Sequence, residues 1–216
     1  MDNRSETLCS SWISVKAKSE LQEYIKAILL AVILALAVRT CLLQSFRIPS
    51  SSMEDTLLVG DCLLVNKFVY GIRVPFTNLR FPMIQSPKQG DVIVFEYPKD
   101  RSKDYIKRVV GVPGDEILIK DKQVYVNGAL YSNIHEVHKD PVTIPAISGK
   151  RDNFGPVRVP NNSYFLMGDN MDNSCDSRYW GFVGRSDLVG LAMIKWWSWD
   201  HDKWRVRWQR IGRSID

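Results

Sequence analysis

Histidine and cysteine are scarce in this sequence, with three of the first and four of the second in 216 residues. The cysteines (Cys9, Cys41, Cys62, Cys175) form no C-x-x-C pair and keep no regular spacing, which argues against a zinc site and against a disulfide framework. The histidines (His135, His138, His201) fall in no segment that reads as an active-site turn, so a Ser-His-Asp triad loses ground, although triads assemble in space. "HEVHKD" at 135–140 offers two imidazoles, but in a polar loop such a pair is ordinarily solvated, and no metal is expected. Internal repeats are absent. Hydrophobic and charged fractions of 45% and 25% exclude a disordered chain. The formal net charge of +5 points to an anionic partner: nucleic acid, lipid head groups or an acidic substrate.

Only one long apolar run exists. "AILLAVILALAV", 27–38, resumes after Arg39 and Thr40 as Cys41, Leu42 and Leu43. Counted over 24–46 it reaches the roughly 20 residues that cross a bilayer, with Arg39 extending its guanidinium to one interface. Arg4, Lys16, Lys18 and Lys26 precede it, which places the N-terminus in the cytoplasm and the C-terminal part outside. Cys9 and Cys41 then lie on opposite sides, leaving Cys62 with Cys175 as the one plausible disulfide. Two other readings of the run remain: a cleavable secretory signal ending near Ala35-Leu36-Ala37, and a buried soluble helix. The expected organisation is a tail over 1–23, a transmembrane helix over 24–46 and a β-rich domain over 47–216.

Beyond Pro49 short runs rich in Val, Ile, Tyr and Phe alternate with turn signals, as in "CLLVNKFVYG", "GDVIVFEY", "EILIKDKQVYVNG" and "LVGLAMIKWWSW". This spacing predicts an all-β domain, with "VPGD" and "VNGA" as its tight turns. Residues 132–160 read as an inserted loop or small cap.

"SFRIPSSSMEDTLLVGD", 45–61, crowds three serines beside the apolar run. A serine nucleophile without a histidine needs a lysine as base. Lowering a lysine from about 10.4 to about 7 means destabilising its ammonium by roughly 4–5 kcal/mol, which burial can supply. "DYIKRVVGV" holds the best candidate. In a strand Tyr105 and Lys107 share one face while Ile106 and Arg108 share the other, so periodicity does not say which cation is buried. Arginine stays protonated, which leaves Lys107, with Lys67 in "LLVNKFVY" as its competitor. "GDNMDNSCDSRYWGFV", 168–183, is dense in Gly, Asp and Asn and predicts a tight loop. There Asp176 and Arg178 can pair; on a surface such a pair contributes at most about 1 kcal/mol.

In this order, after an N-terminal apolar anchor, "IPSSSMEDTLLVGD", "GDVIVF", "YIKRVVGVPGD" and "GDNMDNSCDSRYWGFV" resemble the boxes of bacterial type I signal peptidases, membrane-bound Ser-Lys endopeptidases that remove signal peptides. The resemblance covers most of residues 20–216. It implies coiled antiparallel β-sheets forming a partly open, barrel-like catalytic domain, with Ser52 as nucleophile, Lys107 as general base, and Ser50 with the backbone N–H of Ser52 as oxyanion hole. It further implies that the Ser174 hydroxyl orients Lys107, that Asp176 and Arg178 form a supporting ion pair, and that Asp169 and Asn170 shape the loop. Ser51 stands where many members have glycine and Met171 where arginine is usual. Ile48, Met53, Leu57, Tyr105 and Ile106 match positions lining shallow pockets for Ala-x-Ala sites.

The implied chemistry is acyl transfer without metal or cofactor. Secretory preproteins and the bilayer are the implied partners, and the protein is expected to act as a monomer on the outer side of the bacterial cytoplasmic membrane. Five of the seven tryptophans lie in "IKWWSWDHDKWRVRWQRIGR" among basic residues. That tail suits a bilayer surface better than nucleic acid. The competing reading is a non-enzymatic membrane-anchored β-barrel that binds lipid or nucleic acid through it.

Overall fold

The computed structural model describes residues 22–32, 43–71 and 84–215. It divides into two units, Met1–Leu42 and Leu43–Asp216. In the first, residues 22–32 form a helix, α1. Among the described residues no helix is long and apolar enough to cross a membrane, and residues 33–42, the middle of the expected anchor, lie outside them. The expected anchor end at 46 is corrected. Leu43–Arg47 is a strand, β1, because Gln44 and Ser45 break the apolar run and the segment pairs antiparallel with residues 62–66.

The second unit is mainly β. The other strands are β2 (Asp61–Asn66), β3 (Val92–Tyr97), β4 (Asp100–Gly111), β5 (Glu116–Lys120), β6 (Gln123–Val126), β7 (Ala129–Leu130), β8 (Phe154–Arg158), β9 (Ser163–Met167), β10 (Val183–Gly184), β11 (Leu188–Asp200) and β12 (Arg205–Val206). One sheet runs β1-β2-β11-β3-β4-β9-β10 with β12 beside β11; the other runs β7-β6-β5-β8. All these pairings are antiparallel. The large sheet ends at β1 and β10 and does not close into a barrel.

Local chemistry fixes the turns. Asn127 and Gly128 have φ of 53° and 80°, both left-handed, as the two-residue β6–β7 turn requires. The expected insert is not wholly irregular: its last part is β8, which pairs with β5 and completes the smaller sheet.

Period-two burial along β2, with Asp61, Leu63 and Val65 buried, turns one face inward. Leu63 and Val65 join Ile48, Met53, Leu57, Val92 and Val94 in a core directly beneath the serine turn. Full burial of Met53 and Leu57 contributes about 2–3 kcal/mol each, so the turn rests on a rigid base. A second core packs Val110, Ile117, Phe165, Met167 and Met171. Met171 is apolar because it faces this core.

Candidate active site

Three segments meet at the serine turn. After β1 the chain is held by Ile48 N–H donating to the Asp61 carbonyl (2.9 Å) and Gly60 N–H donating to the Ile48 carbonyl (3.1 Å). From the 168–183 loop, Asn170 N–H donates to the Ser52 carbonyl (3.2 Å), Asn170 Nδ2 to the Ser51 carbonyl (3.2 Å) and Asn173 Nδ2 to Ser51 Oγ (3.0 Å). Ser51 therefore anchors the turn, while Ser50 Oγ and Ser52 Oγ lie 3.4 Å apart.

β4 supplies the amine. Lys107 Nζ lies 2.6 Å from Ser52 Oγ and donates to the Ile106 carbonyl at 3.0 Å. Lys67 instead donates to Gln44 Oε1 (2.9 Å), so the structure brings Lys107 to the serine. At 4% exposure Lys107 is buried, and burial pushes its pKa down to about 8, against the upward pull of Asp176, Cys175 and Asp169.

Periodicity left open which of two consecutive cations is buried, and both are: Arg108 is 3% exposed. Its guanidinium grips Asp169 at two points (2.8 Å each) and donates to the Gly90 carbonyl (2.7 Å). Thr56 Oγ1 and Asn133 Nδ2 also donate to Asp169. Asp169 therefore does more than shape a loop. It ties β4 to the residues following the serine turn and to the insert. Sequence reasoning passed over Thr56 and Asn133 because nothing local marks them.

Asp176 and Arg178 form no surface pair. Both are fully buried, with Arg178 Nη2 2.7 Å from Asp176 Oδ2 and Nε 2.8 Å from Oδ1. The guanidinium also donates to the carbonyls of Arg151 (2.6 Å) and Met171 (2.9 Å). Asp176 caps the short helix α2 (Ser177–Trp180) by accepting from Arg178 N–H.

The expected Ser174–Lys107 hydrogen bond is absent. Ser174 Oγ is buried and has no partner among the described residues, while the amine meets Ser52 Oγ and the Ile106 carbonyl. Cys62 and Cys175 are free thiols, so the suggested disulfide is not formed. Of the histidines, His138 pairs with Glu136 (2.7 Å), and no metal-binding cluster exists among the described residues.

The insert braces this loop. Val137 N–H donates to the Asp169 carbonyl (2.9 Å), and Met171 N–H donates to the Val137 carbonyl (3.0 Å). Lys122 bridges Asp172 (2.7 Å) and the Asp140 carbonyl (2.6 Å). Lys139 reaches Glu54, two residues past Ser52, at 2.7 Å.

Ser52 and Lys107 open onto a cleft of about 370 Å³ between residues 46–52 and 104–107, with Val94, Asn173 and Cys175 also bordering it. Of the five apolar residues matched to pocket positions, Ile48, Tyr105 and Ile106 line it. Met53 and Leu57 do not: both point into the core beneath, fully buried. A hydroxyl, an amine without a bonded carboxylate and an apolar-walled groove make an arrangement suited to acyl transfer.

Comparison with known proteins places the chain in a family. Residues 21–197 match the family described as signal peptidase, peptidase S26. The chain is 38% identical over 213 residues to signal peptidase I of Pseudomonas aeruginosa, covering 85% of this chain and 75% of that one. It is 34% identical over 186 residues to signal peptidase I P of Bacillus subtilis subsp. natto, covering 83% and 90%. A crystal structure of a signal peptidase I from Enterococcus faecalis shares 28% identity over 50% of this chain and 97% of that one, with a TM-score of 0.40, too low to speak for the fold.

Proposed function

The chain belongs to the signal peptidase family, peptidase S26, and on that premise we propose that it removes N-terminal signal peptides from secreted preproteins with Ser52 as nucleophile and Lys107 as general base. The carrying observation is the 2.6 Å separation of Lys107 Nζ from Ser52 Oγ, with the amine buried and held near a pKa of 8. A base of that pKa is neutral in roughly a fifth of molecules near pH 7.4, against about one in a thousand for an ordinary lysine.

Neutral Lys107 takes the Ser52 hydroxyl proton as the oxygen attacks the scissile carbonyl. The oxyanion accepts hydrogen bonds from Ser50 Oγ–H and the Ser52 backbone N–H, donors worth about 3–4 kcal/mol each in comparable sites. Lys107 then gives its proton to the departing amine, and an acyl-Ser52 ester remains. Water, deprotonated by the same lysine, hydrolyses it. The buried Asp169–Arg108 pair ties β4 to Thr56 beyond the serine turn, and the buried Asp176–Arg178 pair braces the 168–183 loop that bonds Ser51 and Ser52. The groove beside Ile48, Tyr105 and Ile106 is where this reading seats the small side chains of an Ala-x-Ala site.

The apolar run 24–46, shortened by β1, anchors the enzyme in the bacterial cytoplasmic membrane with the catalytic unit outside. Trp204 and Trp208, 82% and 72% exposed, give that unit an amphipathic contact with lipid. The test is preprotein cleavage by the detergent-solubilised chain. Wild type is expected to cut after Ala-x-Ala, and Ser52→Ala and Lys107→Met to be inactive while still folded. Retained cleavage by either variant overturns the dyad.

A further inference from the structure

Asp104 borders the catalytic cleft, on β4 three residues before Lys107. The cations nearest in sequence are already matched: Arg101 binds Asp187 at 2.7 Å and Lys103 binds Asp100 at 2.8 Å. Directly across the ladder stands Glu96, a charge of the same sign. Lys67, a cation that pulls on Asp104, holds Gln44 with its ammonium instead. Among the described residues the Asp104 carboxylate has no hydrogen-bond or ion-pair partner. Burial and Glu96 both raise its pKa above the usual carboxylate range, the signature of a carboxylate in want of a cation.

Its place along the strand says which part of a substrate it meets. At about 3.3 Å per residue Asp104 lies roughly 10 Å from Lys107, beyond Tyr105 and Ile106. Resting on the reading that those two line the small-residue pockets, we propose that Asp104 is a specificity residue: it favours lysine or arginine, and disfavours glutamate or aspartate, at the second, fourth or fifth residue before the cleaved bond. Alternate side chains of an extended peptide face opposite walls, so the opposing Arg47, which donates to His201, meets a different substrate position.

The test uses the full chain in detergent and fluorogenic peptides with alanine fixed at the first and third positions before the bond. The second, fourth and fifth positions are varied in turn among Lys, Gln and Glu. At one of these positions wild type is expected to cleave the Lys peptide about five- to tenfold faster in kcat/KM than the Gln peptide, with Glu slower still. Lys-to-Gln ratios near one in Asp104→Asn and below one in Asp104→Lys support the assignment, and as ratios they are independent of overall activity. The same ranking in Asp104→Asn, or no charge ranking in wild type while the Gln peptide is cut, overturns it and leaves the peptidase reading standing. Failure to cut even the Gln peptide overturns both.

Discussion

Lys107 and Arg108 are consecutive on β4, both buried, and keep opposite company: the guanidinium is clamped by Asp169, whereas the amine's hydrogen-bond partners among the described residues are a hydroxyl and a carbonyl. One strand thus carries a permanently neutralised cation and a titratable one. Arg108 gives the strand a fixed position through Asp169, and that fixes where the Lys107 amine sits.

The titratable member sets the pH dependence. With its pKa near 8, Lys107 is protonated and unable to accept a proton below that value, so kcat/KM on a neutral peptide is expected to fall about tenfold per pH unit there and to level off above. Stability carries the same sign. Between about 8 and the ordinary lysine range the unfolded state holds the extra proton, so unfolding free energy rises with pH in that window and is lost as pH falls through 8. Urea titrations of wild type and Lys107→Met check this, since the variant loses that slope.

Breaking the deeper ion pair is expected to be severe. Arg178→Met leaves the Asp176 carboxylate buried and unmatched, at a cost of about 3–5 kcal/mol by denaturant unfolding. Adding Asp176→Leu removes the orphaned charge and should restore part of that loss, so the double variant is expected to be the more stable. A double variant no better than the single would mean that the arginine's bonds to the Arg151 and Met171 carbonyls carry the stability.

The strands and the three chemical segments were legible in the sequence because each is local: period-two burial, a turn dipeptide, a serine beside proline, a lysine among apolar residues. What was not legible is non-local. β1 was read as the end of an anchor because its partner, β2, is identified only by folding. Met53 and Leu57 were read as pocket residues because an apolar side chain in a functional box looks the same whether it faces a groove or the core. That Asp176 and Arg178 can pair was legible from their spacing, but spacing alone did not separate a surface pair from a buried one, because burial is set by what packs over the loop, here the insert.

The C-terminal segment is expected to matter for the serine turn. Arg210 Nη2 donates to fully buried Asp61 (2.7 Å) and to the Thr56 carbonyl (2.9 Å), and Arg210 Nε also reaches Asp61. Lysine supplies one donor centre where arginine supplies a fork. Arg210→Lys is therefore expected to cost about 1–3 kcal/mol, read as a lowered thermal midpoint. An unchanged midpoint would show that Ser198, the Leu58 N–H and the nearby Arg207 guanidinium suffice to satisfy Asp61.

Gly168 offers the sharpest separation of activity from stability. A Cβ there would overlap the Ser52 carbonyl oxygen and Ser174 Oγ, well inside van der Waals contact. Side-chain atoms can rotate away, but the Ser52 carbonyl moves only with the backbone that carries the nucleophile. Gly168→Ala should cost about 1–3 kcal/mol by overpacking and yet leave a folded protein. A displacement of the nucleophile approaching 1 Å typically costs on the order of a hundredfold in rate, so cleavage should fall far more than stability. Gly149→Ala is the control: its Cβ would meet only an Ile144 methyl carbon at 3.6 Å, and activity should be unchanged. Full activity in a folded Gly168→Ala protein would mean that the 168–183 loop yields and the serine does not, and that the turn is held by β1 and its core alone.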